Sequence, residues 1–294
     1  MRVTENLRYS TMLTAMQKQA GRLQDAHEVA ITGQKVSAPS DGPAVFATAV
    51  GDSAKIQQIE GRKTAIDRAK GDLGLAEGVL AEAGDLIKKA REIAVQMADG
   101  AYDASERAVA ATEIAGIRDQ LHALANTRGS RGYLFAGSAT DTAPFDAANS
   151  FVANDDTLGV TIGDGIQAPA NVSGATAFAG AGGGQDVFQD LTDLENALLA
   201  NNQAAVQTGI ADMDASHEQI ENVRADAGVA LDRLSTASGV LEGALVTMKE
   251  GLASLVEADS IAAISELTQA QAGYESSITV ARNILQMATA VQRF

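Results

Sequence analysis

Histidine is the side chain best suited to bind a transition metal or to move a proton near neutral pH, and the chain has three of them. They are His27, His122 and His217, which lie about 95 residues apart. A metal-binding pair on a helix needs ligands three or four residues apart, and no such pair of histidines occurs. The spacing therefore favours histidines that pack or are solvated over a metal centre.

Aspartates in the middle of the chain could approach a calcium ion, because Asp155, Asp156 and Asp164 are close in the sequence. The spaced oxygen ligands and the final glutamate of a calcium loop are missing, so turn formation explains these residues better. Gly182–Gly184 are followed by glutamine and aspartate, not by the lysine and hydroxyl residue of a phosphate-binding loop.

The common catalytic nucleophiles have no recognisable setting either. The chain has no cysteine and no Gly-x-Ser-x-Gly elbow. We therefore predict no catalytic residue, no cofactor and no metal site, and expect a protein that is not an enzyme.

The charge of the chain argues against two classes of partner. The 38 acidic and 22 basic residues give a formal net charge of −16. Nucleic acids and anionic membranes are bound by clustered lysine and arginine, so we expect no nucleic acid and no membrane as partner. No apolar run reaches the length of a membrane span, and the first residues lack the apolar stretch of a cleaved secretory signal.

Hydrophobic spacing is the strongest structural signal. Four segments, at residues 9–30, 69–97, 220–248 and 264–288, repeat apolar residues in a 4-3-4-3 rhythm. This period predicts long helices that pack side by side, and two segments near each end of the chain suggest a mainly α rod of coiled-coil helices formed by both ends. An ordinary four-helix bundle has the same rhythm and stays an alternative.

The outermost segments are predicted to pair with each other and with neighbouring copies of the chain. A single partner helix buries only one face, so we expect adjacent subunits to cover the rest of their apolar stripes. The predicted residues of this assembly interface are Tyr9, Leu13, Met16, Leu23, Ile264, Leu267, Tyr274, Ile278 and Leu285.

A corner is predicted between the first two helices. Gly33 can end the first helix in the left-handed conformation. Pro39 and Pro43 bracket a turn, and Ser40 or Asp41 can cap the helix that follows.

The middle of the chain differs in composition, since residues 133–223 contain no lysine or arginine. Residues 159–166 place β-branched residues around a Gly-Asp-Gly turn, which predicts a β-hairpin. Residues 174–184 are typical of a flexible link, and Asp190 or Asp193 is expected to cap the helix that returns. A small acidic β-rich insertion between two helical arms is therefore expected.

Four motifs occur together in the two helical arms. They are the start Met1–Thr4, the corner Thr32–Pro43, the segment Arg131–Gly137 with Thr142–Phe145 beyond it, and the C-terminal stretch Thr268–Gln286. Together they resemble the hook-associated proteins of the flagellin family, which form the hook–filament junction of the bacterial flagellum. Each motif is weak alone, and the resemblance rests on their co-occurrence.

The resemblance implies a flagellin-like architecture with three domains. These are residues 1–35 with 262–294 as a terminal coiled coil lining an inner tube, 36–145 with 186–261 as a helical rod domain with a β-hairpin, and 146–185 as a small acidic outer domain. It also implies a structural role joining a hook-associated protein at the hook end to the filament. Export would use the flagellar type III channel without a cleaved signal, which gives an extracellular location. The implied partners are further copies in a ring, a neighbouring hook-associated protein, flagellin and an export chaperone.

Other functions stay open at this point. A flagellin that builds the filament would share both arms, although the Met-Arg-Val-Thr start and the Pro-Ser-Asp-Gly-Pro corner favour a junction protein. A coiled-coil adaptor would share the heptads but not the motifs, and an enzyme in the insertion would need a ligand cleft.

Overall fold

The computed structural model describes residues 2–291, and this range is largely helical. The described elements are α1 (Arg2–Thr32), a 3₁₀ turn (Pro39–Asp41), α2 (Pro43–Met97), α3 (Ala104–Ala125), β1 (Arg128–Gly129), β2 (Gly132–Tyr133), β3 (Gly159–Gly163), β4 (Ile166–Pro169), α4 (Gly174–Phe178), α5 (Val187–Leu199), α6 (Gln203–Val256) and α7 (Ser260–Val291). The side chains of the Met1–Thr4 motif lie outside the described part of the chain.

The chain divides into two compact units. Unit 1 consists of Met1–Gln58 and Leu245–Phe294, and unit 2 consists of Ile59–Ala244. The predicted class, mainly α with long helices from both ends of the chain and few strands, is confirmed. The finer division into three domains stays a prediction.

In unit 1 the two terminal helices, α1 and α7, lie antiparallel and in contact. The Arg22 guanidinium donates to the Glu266 carboxylate at 3.1 Å. A Cβ built on Gly273 would lie 3.0 Å from Oε1 of Gln19. Alanines at 26, 270 and 281 are buried in this pair, and their small side chains let the two backbones approach closely.

In unit 2 the heptad stripe predicted for residues 69–97 is buried throughout. Its nine members are each at most 6% exposed: Ala69, Leu73, Ala76, Leu80, Ala83, Ile87, Ala90, Ala94 and Met97. They share a core with buried residues of α3, α5 and α6. The 3.5-residue period therefore located the buried face of α2 correctly.

One buried cation ties together the loops at one end of unit 2. Arg107 of α3 is only 4% exposed. Its guanidinium donates to the carbonyl oxygens of Met97 at 3.0 Å and Asp99 at 2.9 Å, and to the Asn201 side chain. Carbonyls at the end of a helix lack intrahelical partners, so Arg107 satisfies the C-terminal end of α2.

Five of the seven phenylalanines meet in a single aromatic cluster in unit 2. The cluster is formed by Phe135, Phe145, Phe151, Phe178 and Phe188, with neighbouring ring centroids 5.0 to 6.2 Å apart. Two of its members come from the family-like segments Arg131–Gly137 and Thr142–Phe145. Those motifs therefore supply two of the five rings of this cluster, Phe135 and Phe145.

The middle region contains the predicted hairpin and departs from two other predictions. Strands β3 and β4 pair antiparallel around Gly165, whose φ is 73°. Residues 174–184 are not simply a flexible link, because α4 lies within them and buries Phe178. The cap of α5 is Asp186, whose side chain accepts from the N–H groups of Phe188 and Gln189, so the predicted caps Asp190 and Asp193 are wrong.

Candidate assembly surface

The terminal helix pair carries all nine predicted interface residues, and the structure divides them into two groups. Met16, Leu23, Leu267, Tyr274 and Ile278 are partly buried. Tyr9, Leu13, Ile264 and Leu285 are between 45% and 61% exposed. The partly buried face of α1 contains Met12, Met16, Gln19 and Leu23. Tyr9 and Leu13 lie beside this face and are exposed. The pair thus covers part of the predicted interface and leaves the rest open.

Apolar side chains are exposed on several sides of α7. Ile261, Val280 and Leu285 are 80%, 51% and 48% exposed. With 3.6 residues per turn, these side chains point in directions roughly 100–140° apart around the helix. A helix that is apolar on all sides is suited to burial, and α1 covers only one of those sides. The surface therefore suits contact with more than one further helix.

The terminal segments carry none of the excess negative charge of the chain. Residues 1–35 contain five basic and three acidic side chains, and residues 261–294 contain two of each. Residues 36–260 therefore carry a formal charge of −18, which the +2 of residues 1–35 reduces to the net −16 of the chain. Repulsion between copies is thus weakest where apolar surface is exposed.

The end of α1 forms as predicted. Gly33 has a φ of 68°, and its N–H donates to the carbonyl oxygen of Val29 at 2.9 Å. Glycine tolerates this left-handed conformation because it has no Cβ. The Pro39–Asp41 turn follows, and α2 begins at Pro43.

The capping predicted for α2 is wrong, because the Asp41 carboxylate turns back into the corner. Its Oδ2 accepts from the N–H groups of Ala38 at 2.8 Å and Ser37 at 3.0 Å. The Ser40 hydroxyl donates to the other oxygen at 3.1 Å. Hydrogen bonds from Ala38 first, and then from Ser37, lower the pKa of Asp41. Ser40 and Asp41 thus close the turn that precedes α2.

A second segment of unit 1 is joined to this corner, and we call the two together the crossing clamp (Gly33–Lys35 and Ser254–Ala258). The N–H of Ala258 donates to Gly33 O, and that of Lys35 to Val256 O, both at 2.8 Å. Gln34 and Glu257 form an antiparallel bridge between them. Nζ of Lys35 donates to Ser254 O at 2.8 Å, in the last turn of α6. The sequence carries no signal for Lys35, because its partners lie about 220 residues away.

The family-like segment at Arg131–Gly137 is held by a buried carboxylate. Asp72 of α2 accepts from the Ser130 N–H at 2.7 Å, the Ser130 hydroxyl at 3.0 Å and Nε of Arg131 at 2.9 Å. Burial raises the pKa of Asp72, but these hydrogen bonds outweigh it, so the net shift lowers the pKa. A Cβ on Gly132 would lie 2.3 Å from Thr140 O, so this position requires glycine.

Two of the residues considered as metal ligands, His122 and Asp164, have structural partners in unit 2, whereas Nδ1 of His217 is buried without a hydrogen-bond partner among the described residues. Nδ1 of His122 lies 2.8 Å from Oδ1 of Asn149, and Asp164 pairs with Arg62 at 2.9 Å. Within residues 2–291, no three His, Cys, Asp or Glu side chains are grouped as metal ligands. No helix in the same described range combines the length and apolarity that a membrane span needs.

The N-terminal part of this architecture occurs in a known family. Residues 3–140, which include α1, the corner, α2 and α3, match the bacterial flagellin N-terminal helical region.

Two curated proteins extend the similarity over most of the chain. The flagellar hook-associated protein 3 of Salmonella typhimurium is 28% identical, over 94% of this chain and 95% of that protein. The flagellar hook-associated protein 3 of Escherichia coli K12 is 29% identical, over 84% of this chain and 85% of that protein. The homologues of this chain are therefore structural proteins of the flagellum.

Solved structures share the fold. A flagellar hook-associated protein of Vibrio parahaemolyticus superposes with a TM-score of 0.66 at 21% identity, covering 74% of this chain and 100% of that one. FlgL of Xanthomonas campestris gives a TM-score of 0.60 at 19% identity, covering 68% and 98%. The helical arrangement is thus that of flagellar hook-associated proteins.

Proposed function

We propose that this chain is a hook–filament junction protein of the FlgL type, which joins a hook-associated protein at the hook end to the flagellin filament. The chain is a structural component of the bacterial flagellum. The proposal is supported by the similarity to hook-associated protein 3 along 94% of the chain. The observation that carries it is the terminal helix pair. Its exposed apolar side chains point in several directions, and the segments that form it carry no net negative charge.

In this function, copies of the chain form a ring in which neighbouring terminal pairs cover one another. The terminal domain of residues 1–35 and 262–294 lines the inner tube, residues 36–145 and 186–261 surround it, and residues 146–185 face outward. A hook-associated protein and flagellin contact the ring on its two sides. The chain is held by an export chaperone, leaves the cell unfolded through the type III channel without a cleaved signal, and functions outside the cell.

The assembly surface is tested by the double substitution Ile264→Asp and Leu285→Asp. Both side chains are exposed, at 61% and 48%, so charging them costs the free chain little. Ile278 is a poorer choice, because it is partly buried and its change would also disturb the terminal pair. We expect a chain with unchanged circular dichroism that fails to form junctions in cells lacking the natural protein.

The matched control is Val109→Asp, a change at a 71% exposed residue of α3 in unit 2. This control should retain assembly and motility. Normal junctions with the doubly substituted chain would refute the terminal assembly surface.

The filament subunit is the competing function within the same class. The flagellin-type region does not favour it, because both curated relatives are hook-associated proteins 3. Fluorescent labelling of the chain on intact flagella separates the two. Label confined to the distal end of the hook supports the junction, whereas label along the filament contradicts it.

A further inference from the structure

The crossing clamp lies directly beside the facing ends of both terminal helices. α1 ends at Thr32, immediately before the clamp. α7 begins at Ser260, and Oδ1 of Asp259 accepts from the N–H of Ile261 at 2.8 Å to cap it. One residue separates the clamp from α7, so the hydrogen bonds of the clamp hold the end of α1 beside the start of α7.

The contact between α1 and α7 contains little that would select one alignment. Among the described residues of this pair, only the alanines at 26, 270 and 281 are buried, and larger side chains such as Met16 and Tyr274 are only partly buried, so they resist a shift less than fully buried side chains would. The ion pair between Arg22 and Glu266 has side chains 57% and 53% exposed, so it contributes at most about 1 kcal/mol. A heptad-like stripe also permits a shift of seven residues.

We propose that the crossing clamp sets the register of α1 against α7, with Lys35 as its positioning residue. Gln34 lies opposite Glu257 in the clamp, and Gln19 lies opposite Gly273 further along the pair, so the register continues along the helices. Lys35 contributes twice, through its N–H to Val256 O and through Nζ to Ser254 O. A cation that binds the last carbonyls of α6 holds the end of that helix against the corner.

The test uses the absence of cysteine, which makes two engineered pairs specific reporters in the full-length chain. Gln19→Cys with Gly273→Cys is the near pair, because a Cβ at Gly273 lies within 3.7 Å of two Gln19 side-chain atoms. Gln19→Cys with Val280→Cys is the shifted pair. Seven residues of helix span about 10 Å, so the shifted pair is out of disulfide reach in the observed register.

We expect the near pair to form its disulfide much faster than the shifted pair under mild oxidation, as read from gel mobility. Lys35→Met should change the ratio of the two rates about two- to fivefold toward the shifted pair, the size expected for one cation at a helix C-terminus. Lys35→Arg should restore the ratio, because a guanidinium can donate to the same carbonyl. Lys55→Met is the control, since Lys55 pairs with Asp52 on its own helix.

An unchanged ratio in Lys35→Met, or an equal effect of Lys55→Met, would overturn the proposal and assign the register to the helix contact itself. The inference concerns the single chain. It can therefore fail while the proposed junction function stands, and the reverse also holds.

Discussion

Asp72 offers a sharp test of how the Arg131–Gly137 segment is held in unit 2. Its carboxylate is 7% exposed and accepts three hydrogen bonds from Ser130 and Arg131. Asp72→Asn keeps the shape of the side chain but replaces one acceptor oxygen with a donor group. Asp72→Ala removes all three acceptor contacts and leaves a small cavity.

The size of the effect follows from these contacts. A hydrogen bond to a charged group contributes about 1.5–3 kcal/mol, but three at one carboxylate are not additive. The Arg131 side chain is 36% exposed, so water screens part of its attraction to Asp72. We expect Asp72→Asn to lower the free energy of unfolding by about 2 kcal/mol and Asp72→Ala by about 3 kcal/mol.

The measurement is urea unfolding followed by circular dichroism, with hydrogen exchange at the Ser130 amide as the local readout. The folded pKa of Asp72 is lowered, so its contribution is complete above about pH 4 and is lost as the pH falls through that folded pKa. The penalty of Asp72→Asn should therefore shrink in acid. Asp85→Asn is the control, because that side chain is 79% exposed and pairs with Lys88 on the same helix. The reasoning would be refuted if Asp72→Asn lowered the free energy of unfolding at pH 7 by no more than the control does. It would also be refuted if the loss were unchanged in acid.

Substitutions at four further sites probe unit 2, each by urea unfolding. Arg107→Leu should lower the free energy of unfolding by about 3 kcal/mol, because the carbonyls of Met97 and Asp99 lose their donor; a smaller loss in Arg107→Lys would support this, and an equal loss would contradict it. Burial raises the pKa of Asp190 to about 6, so its ionised form weakens the folded state as pH rises from about 4 to 6. Asp190→Asn should thus stabilise by about 1 kcal/mol at pH 7.5 and by nothing at pH 4, and a gain independent of pH would contradict the assignment. Gly74→Ala should stabilise by about 0.5–1 kcal/mol, because a Cβ there meets no atom within 4 Å, whereas Gly174→Ala should destabilise, because its Cβ would lie 2.4 Å from Phe135 O.

The hydrophobic period predicted the helices well. It did not predict which of their apolar residues are buried by contacts within the same chain. On α2 every member of the predicted stripe from Ala69 to Met97 is buried. On α1 the predicted Tyr9 and Leu13 lie on the flank, although Met16 and Leu23 are partly buried. A helix with apolar residues on several sides satisfies more than one heptad frame. The repeat alone cannot tell an intramolecular contact from a surface that another molecule covers.

Contacts between distant segments had no signal in the sequence. Lys35 meets Ser254, and Asp72 meets Ser130, only after the chain has turned several times. Aromatic residues make up only 4% of the chain, yet five phenylalanines converge in unit 2, and four of them come from the segment between α3 and α5. The prediction that Asp190 caps α5 was wrong, because Asp186 lies about one helical turn earlier and also has a side chain suited to an N-cap.

The negative charge of the chain lies in residues 36–260 and not in the terminal segments. Contacts between adjoining copies should therefore depend on salt in the first region and depend on it little in the second. At physiological ionic strength, charges more than about 8 Å apart are largely screened, whereas at 0.01 M the screening distance grows to about 30 Å. Dilution of salt should therefore push the acidic stretches of adjoining copies apart while the neutral ends keep their contacts. In the ring that we propose, the ionic strength of the medium would then set how tightly residues 36–260 of adjoining copies approach one another, with little effect on the contacts between the terminal helices.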